Sequence, residues 1–389
     1  MSAADYDVVV IGGGIHGVGV AQAAAAAGYS VLLLERTALA SGTSSRSSKL
    51  IHGGLRYLES ARFGLVRESL REREILLRIA PGLVYRVPFH IPVYDNSRRP
   101  SWMIRAGLGL YALLGGLSRH ARFDTLPRAR WDGLDGLDTR GLQAVFRYQD
   151  AQTDDALLTQ AVMRSAQKLG AELRCPANFL SARRTGDAFV VHTLEGKDEH
   201  ICRARTLVNA TGPWVGTVLE RITPRPAVLP VDLVQGAHII VGNETRHGIY
   251  YLEAPQDGRA VFVMPWQEHT LVGTTETPFD GDLSAVSARP EEITYLQETL
   301  WRYFPGHRGK LLGSFAGLGV LPHGSGLAFH RSRETILHPD NPDRVRLVTV
   351  YGGKLTGYRA TAARVMRLLK RSLPARAPRA DTSEISLSP

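Results

Sequence analysis

The chain has 389 residues, more than one hydrophobic core usually serves, so two domains are expected. Its 44% hydrophobic and 22% charged residues are typical of a globular protein. The net charge of +10 favours an anionic partner, but no basic run is interleaved with aromatic residues as in strand-binding surfaces. We therefore expect no nucleic acid, and an anionic membrane surface or a small anionic substrate remains.

The cysteine content is low. Cys175 and Cys202 stand in strand-like stretches, far apart along the chain. This spacing indicates neither a disulfide framework nor a metal cluster. Together with the lack of a signal-peptide pattern, it predicts a reducing, cytoplasmic setting.

The first 35 residues have the pattern of a strand–helix–strand unit. Residues 8–34 carry no charge and are long enough to cross a bilayer, but glycines and β-branched blocks divide the run. The pattern predicts a strand over Asp7–Ile11, a helix from about Ile15 to Ala27 ended by Gly28, and a strand over Val31–Leu34.

A glycine motif, Gly12-x-Gly14-x-x-Gly17, joins the first strand to the helix, and Glu35 closes the second strand. Such a turn lets the backbone approach a pyrophosphate at the helix N-terminus, and the acidic residue accepts from ribose hydroxyls. The alternative is an ordinary glycine-rich turn. The context favours one dinucleotide site. A second match, Gly107-x-Gly109-x-x-Ala112, has no preceding strand, and we attribute it to chance.

Further along, apolar periodicity predicts helices near 62–80, 154–169 and 290–303, with nearly continuous strand from 228 to 275. The apolar stretch Ala106–Leu117 is too short to span a bilayer but can lie on one. Peripheral contact with the cytoplasmic face of an inner membrane is therefore left open. The composition after Pro374 predicts a disordered tail, residues 374–389.

The segment from Thr43 to Glu59, TSSRSSKLIHGGLRYLE, is the most specific part of the sequence. Other segments occur in a matching order: SWMIRAGL at 101–108, NATGPW at 209–214, FVMPW at 262–266, GTTE at 273–276, SRET at 332–335 and GGKLTGYR at 352–359. Together they resemble the FAD-dependent glycerol-3-phosphate dehydrogenases, within the wider D-amino acid oxidase-like flavoprotein superfamily.

This resemblance implies an α/β fold with a Rossmann-like FAD-binding domain and an α+β second domain with a mostly antiparallel β sheet. We assign residues 1–86, 148–220 and 330–373 to the FAD-binding domain, and 87–147 and 221–329 to the substrate domain.

The resemblance also implies the residues that contact FAD. They are Gly12, Gly14, Ile15, His16, Gly17, Glu35, Arg36, Thr43, Ser44, Ser45, Ser48, Lys49, Leu50, His52, Gly53, Ala177, Ala210, Thr211, Gly212, Trp214, Gly352, Gly353, Lys354, Leu355 and Thr356.

For the substrate, the resemblance implies that a small phosphorylated alcohol is surrounded by Arg56, Tyr57, Thr275, Arg333, Lys354 and His323, with His52, Arg56, Lys354 and Arg333 taking part in catalysis. Cations hold a phosphate dianion. A neutral imidazole such as His52 is a reasonable base for the hydroxyl proton, with His238 as second choice. The alternatives are a core histidine at 52 and a surface ion pair at Arg56.

Two features depart from the family pattern. Gly319 stands where the family carries a substrate-binding arginine, a loss for which His323 is the proposed compensation. The family also continues into a helical C-terminal domain beyond the last FAD-domain helix, whereas this sequence stops.

The sequence therefore predicts an FAD-dependent oxidoreductase that oxidises sn-glycerol 3-phosphate, or a close anionic alcohol, to the ketone, which is dihydroxyacetone phosphate in the first case. The acceptor would be a quinone, another carrier or dioxygen. One alternative is an oxidase or dehydrogenase of another phosphorylated, phosphonate or amine substrate, and the other is a flavin-binding redox module without turnover.

Overall fold

The computed structural model describes residues 4–117, 120–242, 245–323 and 334–389, and their strands, labelled in chain order, form two sheets. The first sheet contains β1 (Tyr6–Ile11), β2 (Val31–Leu34), β7 (Glu172–Arg174), β8 (Asn178–Thr185), β9 (Ala188–Glu195), β10 (Asp198–Asn209), β11 (Ile222–Thr223), β18 (Ile336–Pro339) and β19 (Leu347–Tyr351).

The second sheet contains β3 (Leu50–Ile51), β4 (Val84–Tyr94), β5 (Asp124–Thr125), β6 (Leu142–Thr153), β12 (Val231–Val241), β13 (Ile249–Glu253), β14 (Ala260–Trp266), β15 (His269–Gly273), β16 (Thr277–Phe279) and β17 (Leu311–Pro322). The helices are α1 (Ile15–Ala26), α2 (Phe63–Ile79), α3 (Ser101–Leu114), α4 (Asp155–Lys168), α5 (Val215–Leu219), α6 (Pro290–Tyr303) and α7 (Tyr358–Leu369).

The core of the first sheet is parallel, in the order β7-β2-β1-β10-β19. Its central strands are apolar on both faces, as expected for a sheet covered on both sides. Helices α1, α4 and α7 pack together beside it in one apolar cluster. The carboxyl ends of β1 and β2 carry the glycine turn and Glu35, which is where ligands bind in sheets of this type.

Two glycines allow the turn after β1. Gly12 has φ of +109°, a conformation that side chains other than glycine rarely adopt. A Cβ on Gly17 would lie 1.9 Å from the carbonyl oxygen of Gly12, so helix α1 can approach the turn only with glycine at this position.

The second sheet is mostly antiparallel. Long ladders join β4 to β6 and β12 to β17, and β13 pairs with β4 in parallel. Helix α6 packs on this sheet through Leu296 and Leu300. The predicted fold class, a Rossmann-like α/β domain with an α+β second domain, is confirmed.

Parts of the predicted domain boundaries are wrong. Strand β6 pairs with β4 and β3 along its length, so residues 148–153 lie in the second sheet and not in the FAD-binding domain. Leu50 and Ile51 also pair in the second sheet. Strand β11 pairs with β8 and extends the first sheet past residue 220. Strand pairing, which only the folded chain shows, places these residues in the other sheet.

The apolar stretch 106–117 falls largely within helix α3, where Gly107 and Gly109 are helical residues rather than part of a phosphate-binding turn. Trp102, Met103 and Leu113 on this helix are exposed. Within the described ranges, no helix combines the length and apolarity needed to cross a membrane.

The prediction of a disordered tail is wrong. The Leu387 side chain is buried, and its amide donates to the carbonyl oxygen of Ile79 at 2.7 Å. The Arg379 amide donates to Ala26 at the same distance. The tail therefore runs along the ends of α1 and α2. Its composition did not indicate this arrangement, because the buried leucine, backbone hydrogen bonds and contacts such as that of Arg376 with Asp7 depend on distant parts of the chain.

Candidate active site

A cavity of about 840 Å³ is lined by residues from both sheets, and its size lies in the range of ligand and cofactor sites, about 300–1,000 Å³. It extends from the glycine turn to the segment around His52 and to the turn at Gly352 and Gly353. Most of the residues expected to contact a flavin nucleotide therefore lie along one continuous space.

The glycine turn and Glu35 meet at the carboxyl ends of β1 and β2. The Gly13 amide donates to Glu35 Oε2 at 2.7 Å, and the amide of Ile15, at the start of α1, donates to Ser44 Oγ at 2.9 Å. The first turn of α1 carries no acidic side chain. Its amide groups and its dipole therefore favour a phosphate at this end of the helix.

Past Glu35, the cavity is lined by Arg36 and Trp214. The Arg36 guanidinium lies 4.4 Å from the centre of the Trp214 ring, close enough for a cation–π contact. The nearby lining residues Ala177, Ala210, Thr211 and Gly212 follow strands of the first sheet. The planar groups of Arg36 and Trp214 and the small lining residues at this end of the cavity suit a planar ring and a ribose.

Four of the predicted cofactor residues do not line the cavity: Gly17, Ser45, Lys49 and Gly53. Lys49 instead forms a buried ion pair with Asp155 at 2.6 Å and donates to the carbonyl oxygen of Ser45. Gly17 serves helix packing. The predicted contact of these residues with FAD stays a prediction, and Lys49 holds the polar segment through Ser45 and Asp155.

The segment after Ile51 brings the predicted catalytic groups together. The Lys354 ammonium lies 3.6 Å from the centre of the Tyr57 ring. Arg56 Nη2 donates to the Tyr57 hydroxyl at 3.4 Å, and Arg56 Nη1 lies 3.5 Å from Glu276 Oε1. His52, Arg56, Tyr57 and Lys354 all line the cavity. The site therefore joins two cations, an aromatic ring and an imidazole.

The imidazole of His52 is neutral at physiological pH. Burial, followed by the charges of Lys354 and Arg56, lowers the pKa of His52 from 6.5 to about 3. Its backbone amide donates to Thr356 Oγ1 at 3.1 Å. A neutral imidazole can accept a proton from a hydroxyl group.

His238, the second choice as base, occupies a more enclosed position. Its ring stacks on Phe315, and its Nε2 lies 3.0 Å from Ser48 Oγ. Burial, with the charge of Lys49, lowers the pKa of His238 to about 3. It lines the cavity, but its hydrogen bond to Ser48 and its stacking on Phe315 restrict its reach.

Of the predicted substrate residues Thr275 and His323, the first lines the cavity and the second does not. The Thr275 hydroxyl lines the cavity but donates to Glu292 at 2.7 Å and accepts from the Ala237 amide. His323 is exposed, does not line the cavity and pairs with Asp232 at 2.9 Å, so the described residues give no support to its predicted role in place of the family arginine. Arg333 lies outside the described residues.

Sequence reasoning missed several polar residues of the cavity, among them Arg46 and Gln235. Arg46 lines it and donates to the carbonyl oxygens of Val286 and Ala316, beside the strand that carries Gly319. Gln235 lines it and donates to Glu292 Oε2 at 2.6 Å. Arg46 stood within the motif TSSRSS, so its charge was an available signal. Gln235 carried no comparable signal.

The model of the DAO family, described as "FAD dependent oxidoreductase", matches residues 7–363. The chain belongs to this family. It is therefore an FAD-dependent oxidoreductase, and most of the site described above lies within the matched residues.

Individual relatives agree with this assignment. The chain is 40% identical over 377 residues to the glycerol-3-phosphate dehydrogenase of Pseudomonas aeruginosa, covering 94% of this chain and 72% of that protein. It is 39% identical over 377 residues to the D-erythritol 1-phosphate dehydrogenase of Brucella abortus, covering 95% and 74%. The structure of the glycerol-3-phosphate dehydrogenase from Bacillus halodurans complexed with FAD superposes with a TM-score of 0.77 at 27% identity, covering 98% of this chain and 68% of that chain.

The cavity of this FAD-dependent oxidoreductase fits the cofactor. A Cβ on Gly14 would lie 3.1 Å from Ser44 Oγ, in the space beside the helix N-terminus that a diphosphate needs. Gly352 and Gly353 both have positive φ, which turns the chain before Lys354. Glu35, the amide groups of α1 and the segment Thr43–Ser48 would hold the nucleotide. His52 and the turn at Gly352 would lie beside the flavin ring.

Proposed function

We propose that the enzyme oxidises the secondary alcohol of a small polyol phosphate, sn-glycerol 3-phosphate before others, to the ketone. The observation that carries this proposal is the cluster of Arg56, Tyr57 and Lys354 beside a neutral His52 at one cavity. Two relatives at 39–40% identity are named for the oxidation of phosphorylated polyols.

Arg56 and Lys354 suit a phosphate group for different reasons. The arginine guanidinium presents paired N–H donors that match two phosphate oxygens, and the lysine ammonium acts as a compact charge. The Arg56 side chain is 20% exposed, and its contact with Glu276 is long at 3.5 Å. A phosphate dianion can therefore reach the Arg56 guanidinium, whereas the Glu276 side chain, 5% exposed, is buried beside it.

His52 then accepts the hydroxyl proton at an imidazole nitrogen as the carbon loses its hydrogen with two electrons. FAD supplies the acceptor for that hydride when it is bound. The carbon–oxygen bond becomes a carbonyl, and the product is the ketone phosphate. Lys354 and Arg56 lower the pKa of His52 in the ligand-free protein. A bound phosphate dianion offsets these charges, so substrate binding makes the imidazole a stronger base.

Gly319 favours a second candidate, a polyol phosphate longer than glycerol 3-phosphate. Gly319 lines the cavity, and a Cβ there would meet only the Val234 carbonyl oxygen among described neighbours, at 3.6 Å. The missing side chain leaves space that an additional hydroxymethyl group can fill. D-Erythritol 1-phosphate, the substrate in the name of the Brucella abortus relative, has this form.

For the electron acceptor that reoxidises the reduced flavin, we propose a quinone, with another carrier or dioxygen as the alternatives. The exposed side chains of Trp102, Leu113 and Leu117 lie on and just after α3, whose inner residues pack beside α2. An apolar exposed surface of this kind suits peripheral contact with a membrane, where quinones are found. Reoxidation of the reduced enzyme by a short-chain quinone, compared with dioxygen, measures the preference.

The proposed reaction is tested by anaerobic bleaching of the flavin with a panel of compounds. Glycerol 3-phosphate and erythritol 1-phosphate are compared with glycerol, amino acids and amines. We expect rapid bleaching by a polyol phosphate and little by unphosphorylated glycerol. Bleaching by an amine or amino acid alone would replace the proposed substrate class. The absence of bleaching by every compound would favour a redox module without turnover.

A further inference from the structure

We propose that Tyr111 is a positioning residue that holds the His52–Gly53 turn for catalysis through a buried network with Asp150 and Arg73. The inference rests on the function proposed above, in which His52 is the base. Neither Tyr111, Asp150 nor Arg73 lines the cavity, so none of the three contacts a ligand bound there, and their hydrogen bonds reach the site through the turn.

The network is a chain of hydrogen bonds from three elements. The Gly53 amide donates to the Tyr111 hydroxyl oxygen at 2.8 Å, and that hydroxyl donates to Asp150 Oδ2 at 2.7 Å. Arg73 Nη1 donates to Asp150 Oδ1 at 2.5 Å. Tyr111 lies on α3, Asp150 on β6 and Arg73 on α2. Three elements of the fold therefore converge on one backbone amide beside His52.

Each side chain of this network is enclosed. The exposed fractions are 3% for Tyr111, 1% for Asp150 and 1% for Arg73. Burial, with the charge of Asp150, raises the pKa of Tyr111 well above 10. The phenol therefore keeps its proton and can donate to Asp150 while it accepts from Gly53.

The turn is held from its other side as well. The His52 amide donates to Thr356 Oγ1 at 3.1 Å, just before α7. The close approach of Tyr111 also explains the glycine at position 53, because a Cβ there would lie 2.4 Å from the Tyr111 hydroxyl. The two amides on either side of the His52 carbonyl are thus fixed by different elements.

Stability alone accounts poorly for this network. A buried ion pair loses its hydration, and apolar residues of similar volume often serve a core as well or better. A fixed turn, by contrast, fixes the Cα and the direction of the His52 side chain. A displacement of about 1 Å in a reacting group can slow a reaction about a hundredfold. The position of the network thus matches a role in aligning the base.

The test uses Tyr111→Phe in the holoenzyme, which removes one hydroxyl and keeps the ring. Tyr94→Phe is the matched control, because the Tyr94 hydroxyl is also buried, donates to the Asp138 carbonyl oxygen and lies away from the cavity. We expect Tyr111→Phe to slow flavin reduction by the polyol phosphate about tenfold to a hundredfold, with KM within about threefold of wild type. Tyr94→Phe should leave the reduction rate unchanged at a similar loss of Tm.

Amide hydrogen exchange provides a second measurement that needs no substrate. Exchange of the peptide that contains residues 50–58 should accelerate in Tyr111→Phe and stay unchanged in Tyr94→Phe. Reduction by Tyr111→Phe at the rate of Tyr94→Phe would overturn the inference, as would unchanged exchange at Gly53. If no polyol phosphate reduces the wild-type flavin, the proposed function fails, and the exchange comparison alone decides whether Tyr111 holds the turn.

Discussion

The ammonium of Lys354 lies 3.6 Å from the centre of the Tyr57 ring and the Arg56 guanidinium lies 5.1 Å from it, so the ring and these two cations form one unit. Replacing Tyr57 with leucine removes the cation–π contact, which contributes about 1–2 kcal/mol when it is shielded from water. We expect KM for the polyol phosphate to rise about fivefold to thirtyfold in Tyr57→Leu. Tyr57→Phe retains the ring and should stay within about threefold of wild type. An equal defect in both variants would assign the effect to the hydroxyl group instead.

His52 provides the second prediction. His52→Asn should slow anaerobic flavin reduction by roughly a hundredfold to ten-thousandfold, the usual contribution of a positioned base, and should change substrate binding little. His238→Asn is the comparison, because His238 lines the same cavity and is also buried. Stopped-flow reduction of the two variants distinguishes the bases. Normal reduction in His52→Asn together with loss in His238→Asn would reverse the assignment.

The sequence predicts the parts of this site that short motifs carry, and it does not predict the parts that depend on contacts between distant residues. The glycine turn with Glu35, and the group of His52, Arg56, Tyr57 and Lys354, lie as predicted along one cavity because short motifs fix local chemistry. The ion pair of Lys49 could not be predicted because its partner Asp155 is 106 residues away along the chain. Tyr111 and Asp150 gave no signal for the same reason, since their roles arise only from tertiary contacts.

The fold likewise contains elements that the sequence predicts and one segment that it does not. The strand–helix–strand unit and helix α6 followed from periodicity. The packed C-terminal tail did not, because its partners, such as the Ala26 and Ile79 carbonyl oxygens and the Asp7 carboxylate, lie far from it along the chain. A composition rich in proline, alanine, arginine and serine does not indicate that hydrogen-bond acceptors elsewhere in the chain bind the tail.

The third prediction concerns pH. The pKa of His52 is lowered to about 3, and a base is active above its pKa, so the reduction rate should stay constant at neutral pH and fall as pH drops through the imidazole's pKa. Lys354→Met removes a positive charge that lowers this pKa. The midpoint of the acid limb, measured at saturating substrate, should therefore move to higher pH. A midpoint that is unmoved or lower would show that another group controls the limb.

A fourth prediction concerns acid stability. His90 is 3% exposed, and burial lowers its pKa to about 4. The unfolded chain therefore binds a proton as pH falls through 6.5, whereas the folded protein binds it only near pH 4. The free energy of unfolding that this site contributes is therefore fully present above pH 6.5 and is lost as pH falls. Between pH 7 and pH 5 the loss is about 2 kcal/mol. Urea unfolding of His90→Gln should show a correspondingly smaller loss, whereas His200→Gln, at an exposed position, should match wild type.

The last prediction concerns Gly319, which lines the cavity where an arginine would add a third cation to Arg56 and Lys354. A Cβ at this position makes only an ordinary contact with the Val234 carbonyl oxygen, so Gly319→Arg should fold. If glycerol 3-phosphate is the substrate, the added guanidinium should lower its KM about tenfold or more, equivalent to the 1.5–3 kcal/mol of a charge-assisted hydrogen bond.

Gly319→Arg should instead reduce activity on the true substrate if that substrate is longer than glycerol 3-phosphate. The arginine side chain would then occupy the space of the additional hydroxymethyl group, and kcat/KM for erythritol 1-phosphate should fall while that for glycerol 3-phosphate rises. Gly319→Ala is the control, because it adds a Cβ without charge or length. Measuring kcat/KM for both compounds in the three proteins separates the two substrates. If neither constant changes in Gly319→Arg, position 319 does not face the substrate, and the departure from the family pattern has no bearing on specificity.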